Sequence, residues 1–515
     1  MPSSPNRPNI LFITSDQQRA DCYGFAGRKV RTPHLDQLAR DGTHFSACIT
    51  PNLVCQPSRA SILTGMLPLT PGVVDNGVDL PAATGALGFA GALAAAGYDT
   101  AFLGKAHFST ANTFAATGTA ECRNSSASFP PSWHGPYMGF EHAELMALGH
   151  LFRHLPPTPP LQGRHYERWL FSRRDAMEVF DLWKSETRPG NGAAQTWRSG
   201  LPAAWHTSTW CADRAIDYLR THSPSKPFCA WVSLPDPHHP FDCPEPWASL
   251  HRADEVDLPI EGRKDLDKRP WWHRASLEST PVGGDAAAQK FRSTLSRAPD
   301  QTETQLREMT ANYFGMISLI DHSVGRILSA LADCGLDRNT YVVYSTDHGD
   351  LLGDHGLYLK GPTAYEGLLR VGLIVRGPGV PPGGRVDDPV STLDLAATFA
   401  ELGGVTLAPQ AQSRSLMPVL AGREARDVAY SEWNVHESRC GVPLELRTVR
   451  GKDWKCSIEL RSGAGEMYDL ANDPHEMRNL FDDPACAAMR RRAEEAIRSR
   501  PGTVLGERLP IVGMA

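Results

Sequence analysis

Pro51-Asn52-Leu53-Val54-Cys55-Gln56-Pro57-Ser58-Arg59-Ala60-Ser61-Ile62-Leu63-Thr64-Gly65 is the stretch around which the rest of the chain is organised. Pro57 suits the first turn of a helix, where its missing N–H costs nothing. The residues from Ser58 to Met66 predict a short helix that stops at Gly65. Cys55 then sits at or just before a helix N-terminus, where the dipole favours negative charge on its side chain. Arg59 is four residues on, on the same helical face, and within reach of the Cys55 group. A cysteine at a helix start is otherwise most often a small buried hydrophobe, so the reading depends on what surrounds it.

The full string, Cys55-x-Pro57-x-Arg59 continued by Ala60-Ser61-Ile62-Leu63-Thr64-Gly65, resembles the signature of the type I sulfatases over eleven positions. In that family the motif directs oxidation of the cysteine to formylglycine, an aldehyde whose hydrate is the nucleophile. The resemblance requires other parts of the chain to supply a metal site and a general acid.

At 515 residues the chain has room for one large α/β domain and a smaller one. Its composition is ordinary globular, 41% hydrophobic and 21% charged with a net charge of −6, and no basic excess points to nucleic acid. No apolar run reaches the roughly 18 to 20 residues of a membrane span. Met1 to Pro8 is polar and Pro-rich with no secretory signal pattern, so the expectation is a cytoplasmic protein. Eleven scattered cysteines do not suggest a disulfide framework.

In chain order, Asn9 to Ser15 is an apolar run of the kind a doubly covered parallel sheet uses. It ends in Asp16-Gln17, and ligands of open α/β sheets gather beyond the carboxyl ends of strands. Thr32 and Gly42 frame a helix as N-cap and stop. Asn76 is either a turn residue or a hydrogen-bonder of the site. An Ala- and Leu-rich helix is expected between Gly85 and Gly97. The strand Tyr98 to Leu103 follows, ending near Lys105 and His107, two apart and so on one side of an extended segment. From about 109 to 210 the pattern weakens into Pro-rich pieces (Pro130-Pro131, Pro156 to Pro160) and aromatic ones, read as an insertion over the site. Pro227 to Leu234 is again a strand, leading to Asp236-Pro237-His238-His239-Pro240-Phe241, where the prolines force a rigid loop. Residues 250 to 300 read as charged and irregular, and Thr302 to Cys334 as a long amphipathic helix. Thr340 to Ser345 is a strand ending in Asp347-His348, and Leu369 to Val375 a further one. Thr392 to Leu402 reads as a helix. Asp16, Gln17, Asp347 and His348 together make a hard-cation site in which oxygen donors dominate.

The last hundred residues alternate as antiparallel strands do, around Arg447 to Ile458 and Glu466 to Leu470, before an Arg/Ala/Glu-rich helix near 483 to 499. The expected architecture is therefore α/β. It has a large, mostly parallel sheet sandwiched by helices over 1–420, and a smaller C-terminal α+β subdomain with an antiparallel sheet over 421–515.

The sulfatase resemblance, within the alkaline phosphatase-like superfamily, now extends over nearly the whole chain. It implies a metal held by Asp16, Gln17, Asp347, His348 and the formylglycine at Cys55, with calcium the family's habit and manganese or magnesium as alternatives. Lys105, His107, His238 and Lys360 match its remaining active-site positions, His238 being preferred to His239 on the pattern Pro-His-x-Pro-Phe. Asn76, Lys105, His238 and Lys360 are the expected substrate contacts. The implied mechanism begins with the hydrated aldehyde, ionised with help from the cation and Arg59, attacking sulfur in line. Lys105 and Lys360 hold the sulfuryl oxygens, and His238 protonates the leaving alcohol. His107 then takes a proton from the second hydroxyl, so that sulfate leaves and the aldehyde returns. The partners implied are a small-molecule or carbohydrate sulfate ester and a formylglycine-generating maturation enzyme.

One departure bears on substrate. Many sulfatases carry a second Asp where this chain has Gln17. The Asp-Gln with Asp-His set is similar to the phosphonate monoester hydrolases, a related formylglycine branch that also cleaves phosphodiesters, as is Gly135 to His142. A phosphonate monoester or phosphodiester hydrolase using the same nucleophile is therefore the alternative. Lys105 and His107 favour the sulfatases, since that branch has Tyr and Thr there. A non-catalytic binding protein on the same fold is disfavoured because every chemical position is filled.

Overall fold

The computed structural model describes residues 7–146, 164–283, 286–294, 296–504 and 508–514. Eight strands form the main sheet: β1 (Asn9–Ser15), β2 (Thr43–Phe45), β3 (Asp99–Lys105), β4 (His142–Met146), β5 (Phe228–Ser233), β6 (Thr340–Thr346), β7 (Leu373–Arg376) and β8 (Gly384–Val386). Their order across the sheet is β8-β2-β7-β6-β1-β5-β3-β4. All of the pairings are parallel except the two made by β7, which runs against β6 and β2. The sheet is thus mixed but mostly parallel, as its apolar strands predict.

Alternation along the central strands shows why both faces are covered. Ile10 and Phe12 of β1 join Phe102, Trp231 and Val343 in one core, with Leu63, Phe89 and Phe399 from the helices above them. Leu11 and Ile13 join Leu103, Val232 and Tyr344 in the other, against Leu38, Trp210 and Ile327. Successive side chains of a strand point to opposite faces, so a run that is apolar at every position requires helices on both sides. The long helix Glu303–Asp333 opens with the capping box of Thr302 and Gln305.

Several local readings are corrected. The expected helix between Gly85 and Gly97 is Phe89–Ala95, and a short helix that was not expected, Ala82–Ala86, precedes it. They break at Gly88, whose Cα lies so close to the Leu63 carbonyl that a Cβ would stand 2.4 Å from that oxygen. The strand expected from Leu369 begins only at Leu373, because Glu366–Leu369 forms a helical turn. Residues 250 to 300 are not irregular throughout, since they carry the helices Trp271–Glu278 and Ala286–Thr294. The segment 109–210 contains β4, the edge strand of the main sheet; Pro156 to Pro160 lie outside the described residues.

Four further strands, β9 (Ala429–Val435), β10 (Leu444–Arg450), β11 (Trp454–Glu459) and β12 (Gly465–Asp469), form an antiparallel sheet in sequence order. One face packs on the helix Ala487–Arg498 through Trp454, Met467, Phe481 and Ala493. The other packs Trp433, Leu446 and Tyr468 against Leu53, Val54, Tyr365 and Leu368. At this junction the Glu432 backbone holds the loop before Cys55: its N–H donates to the Pro51 carbonyl at 2.9 Å, and its carbonyl accepts from Asn52 Nδ2 at 2.6 Å. Lys455 is buried there as well, bonded to the Glu476 carboxylate and the Ala364 carbonyl. Among the described residues no helix is long and apolar enough to cross a membrane.

Trp231 is the centre of the first core. It is fully buried, its Nε1 donates to Thr14 Oγ1 at 2.9 Å, and the rings of Phe12, Phe102 and Phe108 lie 4.8, 5.2 and 5.7 Å from it. Trp231→Ala is expected to cost about 3–5 kcal/mol, read as a lowered urea midpoint with the same spectroscopic baseline for folded protein.

Candidate active site

Every parallel strand at the centre of the sheet delivers chemistry at its carboxyl end. β1 ends in Asp16 and Gln17, β3 in Lys105 with His107 beyond it, β5 in the loop of His238 and His239, and β6 in Asp347 and His348. The helix Cys55–Thr64 starts in their midst, with Cys55 its first residue and Gly65 its left-handed stop at φ 70°. Pro57 is in the first turn, where a backbone N–H would have no partner within the helix. The side-chain oxygen of Asn76 accepts from the Gln56 N–H at 3.0 Å, taking up one of the other free donors. Asn76, expected to contact substrate, is thus engaged in holding the start of this helix.

The motif's residues have separable tasks. Ser58 Oγ donates to the Asp347 carbonyl at 2.7 Å, as does Thr50 Oγ1 at 2.5 Å, so helix and β6 are joined at the backbone. Arg59 is fully buried and makes four contacts: Nε to Asp347 Oδ2 at 2.8 Å, Nη2 to Asp16 Oδ2 at 3.1 Å, and Nη1 to the Lys105 carbonyl at 2.7 Å and Ser233 Oγ at 2.8 Å. Its hydrogen bonds go to the two carboxylates rather than to Sγ of Cys55, which refines the expectation that it reaches the cysteine.

Around Sγ of Cys55 stand His348 Nε2 at 3.1 Å, Lys360 Nζ at 3.1 Å, Asp16 Oδ1 at 3.8 Å and Lys105 Nζ at 4.0 Å. Lys105 also pairs with Asp16. Burial and the Asp16 charge oppose ionisation of the thiol, but Lys105, Lys360 and His348 outweigh them and hold its pKa well below the ordinary value. The Asp16 carboxyl is likewise held low despite burial, by Lys105 and Arg59. Burial and the neighbouring Asp16 charge push Asp347 up. Burial pushes the His107 imidazole down, with Cys55 acting in the other direction; its ring nitrogens are buried with no hydrogen-bond partner among the described residues.

Lys360 Nζ bridges outward to His238 Nε2 at 2.8 Å. The two histidines of the Pro-rich loop stack with centroids 4.2 Å apart and then diverge, His238 to Lys360 and His239 Nδ1 to the Gln17 amide. Gln17 is held by Asp350 as well as by His239. One ligand atom each from Asp16, Cys55, Asp347 and His348 falls within 4.8 Å of all the others, and all four residues are buried.

Some participants carry no sequence signal of their own. Asp350 is buried, its pKa lifted to about 6 by desolvation, and it orients Gln17. Glu121 accepts from the backbone N–H groups of His107, Phe108 and Ser109 and from the Tyr137 hydroxyl, shaping the His107 turn from within the presumed insertion. Asp236 anchors β1 through its carbonyl, which accepts from the Asp16 N–H at 3.0 Å, while its carboxylate bonds Ser208.

With this geometry in place, the comparison with known proteins is decisive. The family model described as Sulfatase matches residues 8–405, and that described as N-sulphoglucosamine sulphohydrolase, C-terminal, matches residues 353–500. The chain belongs to the sulfatase family. Across 505 residues it is 28% identical to the uncharacterized sulfatase YidJ of Escherichia coli, covering 95% of this chain and 86% of that protein. To the arylsulfatase of Clostridium perfringens it is 29% identical over 486 residues, 92% of this chain and 90% of the relative. The crystal structure of a phosphonate monoester hydrolase of Agrobacterium radiobacter superposes with a TM-score of 0.72 at 25% identity, covering 96% of this chain and 95% of that one. The fold is that of the alkaline phosphatase-like superfamily, and the enzyme is a sulfuric ester hydrolase.

Because Arg59 joins both carboxylates by directional bonds, lysine cannot replace it. Arg59→Lys is expected to lower kcat for 4-nitrophenyl sulfate by about 100-fold or more, in line with the loss of preorganised donors elsewhere, together with a lower melting temperature.

Proposed function

We propose that the enzyme hydrolyses sulfate monoesters to alcohol and inorganic sulfate at a formylglycine made from Cys55, with a divalent cation in the same pocket. The observation that carries this reading is the convergence of Asp16, Cys55, Asp347 and His348 within 4.8 Å, flanked by two lysines. The donors fit a cation: two buried carboxylates, an imidazole and the group at position 55 converge on one point, oxygen donors leading. Asp16, Asp347, His348 and position 55 would hold the ion, with Gln17 beside them; calcium suits the oxygen donors, and manganese or magnesium are the alternatives. When bound, the ion would supply electrostatic stabilisation to sulfuryl oxygens and to a hydroxyl on position 55.

Formylglycine would supply, as its hydrate, the hydroxyl that attacks sulfur and a second one from which sulfate can be expelled. The chain's own residues account for the rest. Arg59 fixes the two carboxylates. Lys105 and Lys360, both within 4.0 Å of Sγ, are placed to pair with the oxygens of a sulfuryl group bound over position 55. His238, in contact with Lys360, is placed to hand a proton from its ring to the leaving oxygen. His107 has a buried, low-pKa imidazole against Cys55, suited to receive a proton from the second hydroxyl. The alcohol is a small-molecule or carbohydrate one, and a formylglycine-generating enzyme is the maturation partner.

Gln17 and His348 favour a second substrate class, phosphonate monoesters, as a weaker activity of the same centre. Protein made beside a formylglycine-generating enzyme is expected to show a Cys55 peptide lighter by roughly 18 Da, the thiol-to-aldehyde change that creates the nucleophile. On that sample 4-nitrophenyl sulfate should turn over faster than a phosphonate monoester; the reverse order would replace the sulfatase reading with the phosphonate one. Chelation should abolish turnover and lower the melting temperature, and both should return on adding calcium or manganese; unchanged activity after exhaustive chelation would remove the cation from the proposal.

A further inference from the structure

A small cavity opens on the far side of Lys360, lined by Lys264, Arg297, Thr363 and Arg439 among others, with no carboxylate in its wall. Four cationic residues line this hollow without an acid in its wall, although Lys360 directs its ammonium away from it. Two of the four are already paired, Lys264 with Asp300 and Arg439 with Asp75 at 3.0 Å, both acids lying outside the lining. Lys360 points from this wall toward Cys55 and His238.

Arg297 is different. Its Nη2 alone carries its protein contacts, donating to the carbonyls of Ser276 at 2.7 Å, Ser279 at 2.8 Å and Cys440 at 3.2 Å. Among the described residues its Nε and Nη1 have no acceptor and no carboxylate pairs with it. A guanidinium fixed through one nitrogen keeps its other edge for a two-point contact with an oxyanion. Thr363 adds a second, independent feature: it is 3% exposed, and its Oγ1 has no hydrogen-bond partner among the described residues. A buried hydroxyl without a partner costs stability unless something else satisfies it.

We propose that this recess is a subsite for a second oxyanion, a carboxylate or sulfate carried on the alcohol part of the substrate, held by Arg297 and Thr363. The inference rests on the sulfate-ester reading above and names its substrate class: doubly anionic esters in preference to singly charged ones.

The test uses full-length enzyme with position 55 converted, and four substrates: 4-nitrophenyl sulfate, a monosulfated monosaccharide, and the same sugar ester bearing in addition a carboxylate or a second sulfate. Sulfate release is followed by ion chromatography. The doubly anionic sugars are expected to show kcat/KM about tenfold or more above the monosulfated one, a preference that shrinks with added salt. In Arg297→Lys and in Thr363→Val, both checked for an unchanged melting temperature, the ratio of doubly to singly anionic kcat/KM should fall several-fold toward one. Thr363→Val keeps shape and the Arg297 anchor, so it reads the subsite even if changes at Arg297 unsettle the loop. Inorganic sulfate alone, titrated against melting temperature, identifies a site for free anion: stabilisation lost in Arg297→Lys without any substrate preference would overturn the proposal. So would equal kcat/KM for the singly and doubly charged sugars. No release from any of the four would instead overturn the sulfatase reading itself.

Discussion

The contacts of Arg59 are the constraint on which the site depends. One guanidinium reaches the carboxylates of Asp16 and Asp347, the Lys105 carbonyl and the Ser233 hydroxyl, and so joins the carboxyl ends of β1, β6, β3 and β5. It lies fully buried, where an unpaired charge would be costly. The bonds are directional, and each nitrogen has a fixed partner. The strand ends therefore cannot slide relative to one another without stranding a charge, and the groups they carry keep their spacing around Cys55.

That rigidity depends on layers further out. Asp350 and His239 orient the Gln17 amide, Glu121 ties down the His107 turn, and Asn76 secures the first turn of the Cys55 helix. The C-terminal sheet contributes by gripping Pro51 and Asn52 through the Glu432 backbone. Its packing against Leu53 and Val54 leaves the loop before Cys55 little freedom. The smaller subdomain is thus part of the apparatus that places Cys55, although none of its side chains is among the groups nearest Sγ.

The charge arrangement also separates two regions. On the inner side of Lys360, cations and carboxylates are interleaved at close range around Cys55. On the outer side the recess around Arg297 has cations without a facing acid. Lys360 stands between them, lining the recess while its ammonium reaches Cys55 and His238.

The sequence alone was sufficient for the strand ends. Apolar runs that are buried on both faces have a simple signature, and a charged residue at the carboxyl end of such a run marks the ligand-bearing edge of the sheet; Asp16, Asp347 and Lys105 were legible for that reason. The string from Cys55 to Gly65 was legible through its resemblance to the sulfatase signature, while its residues alone gave a helix start near Pro57 and a stop at Gly65. What tertiary structure alone decided was contact between distant segments. Sequence proximity placed Arg59 with Cys55, whereas its hydrogen bonds go to carboxylates 43 and 288 residues away. Asn76 turned out to cap a helix, β4 emerged from a stretch without periodicity, and Glu121, Asp350 and the Arg297 recess had no local pattern at all. Periodicity and capping act over a few residues and are written in the chain. Charge pairing and the satisfaction of buried donors act through space, and only the packed sheet with its helices determines which of those groups meet.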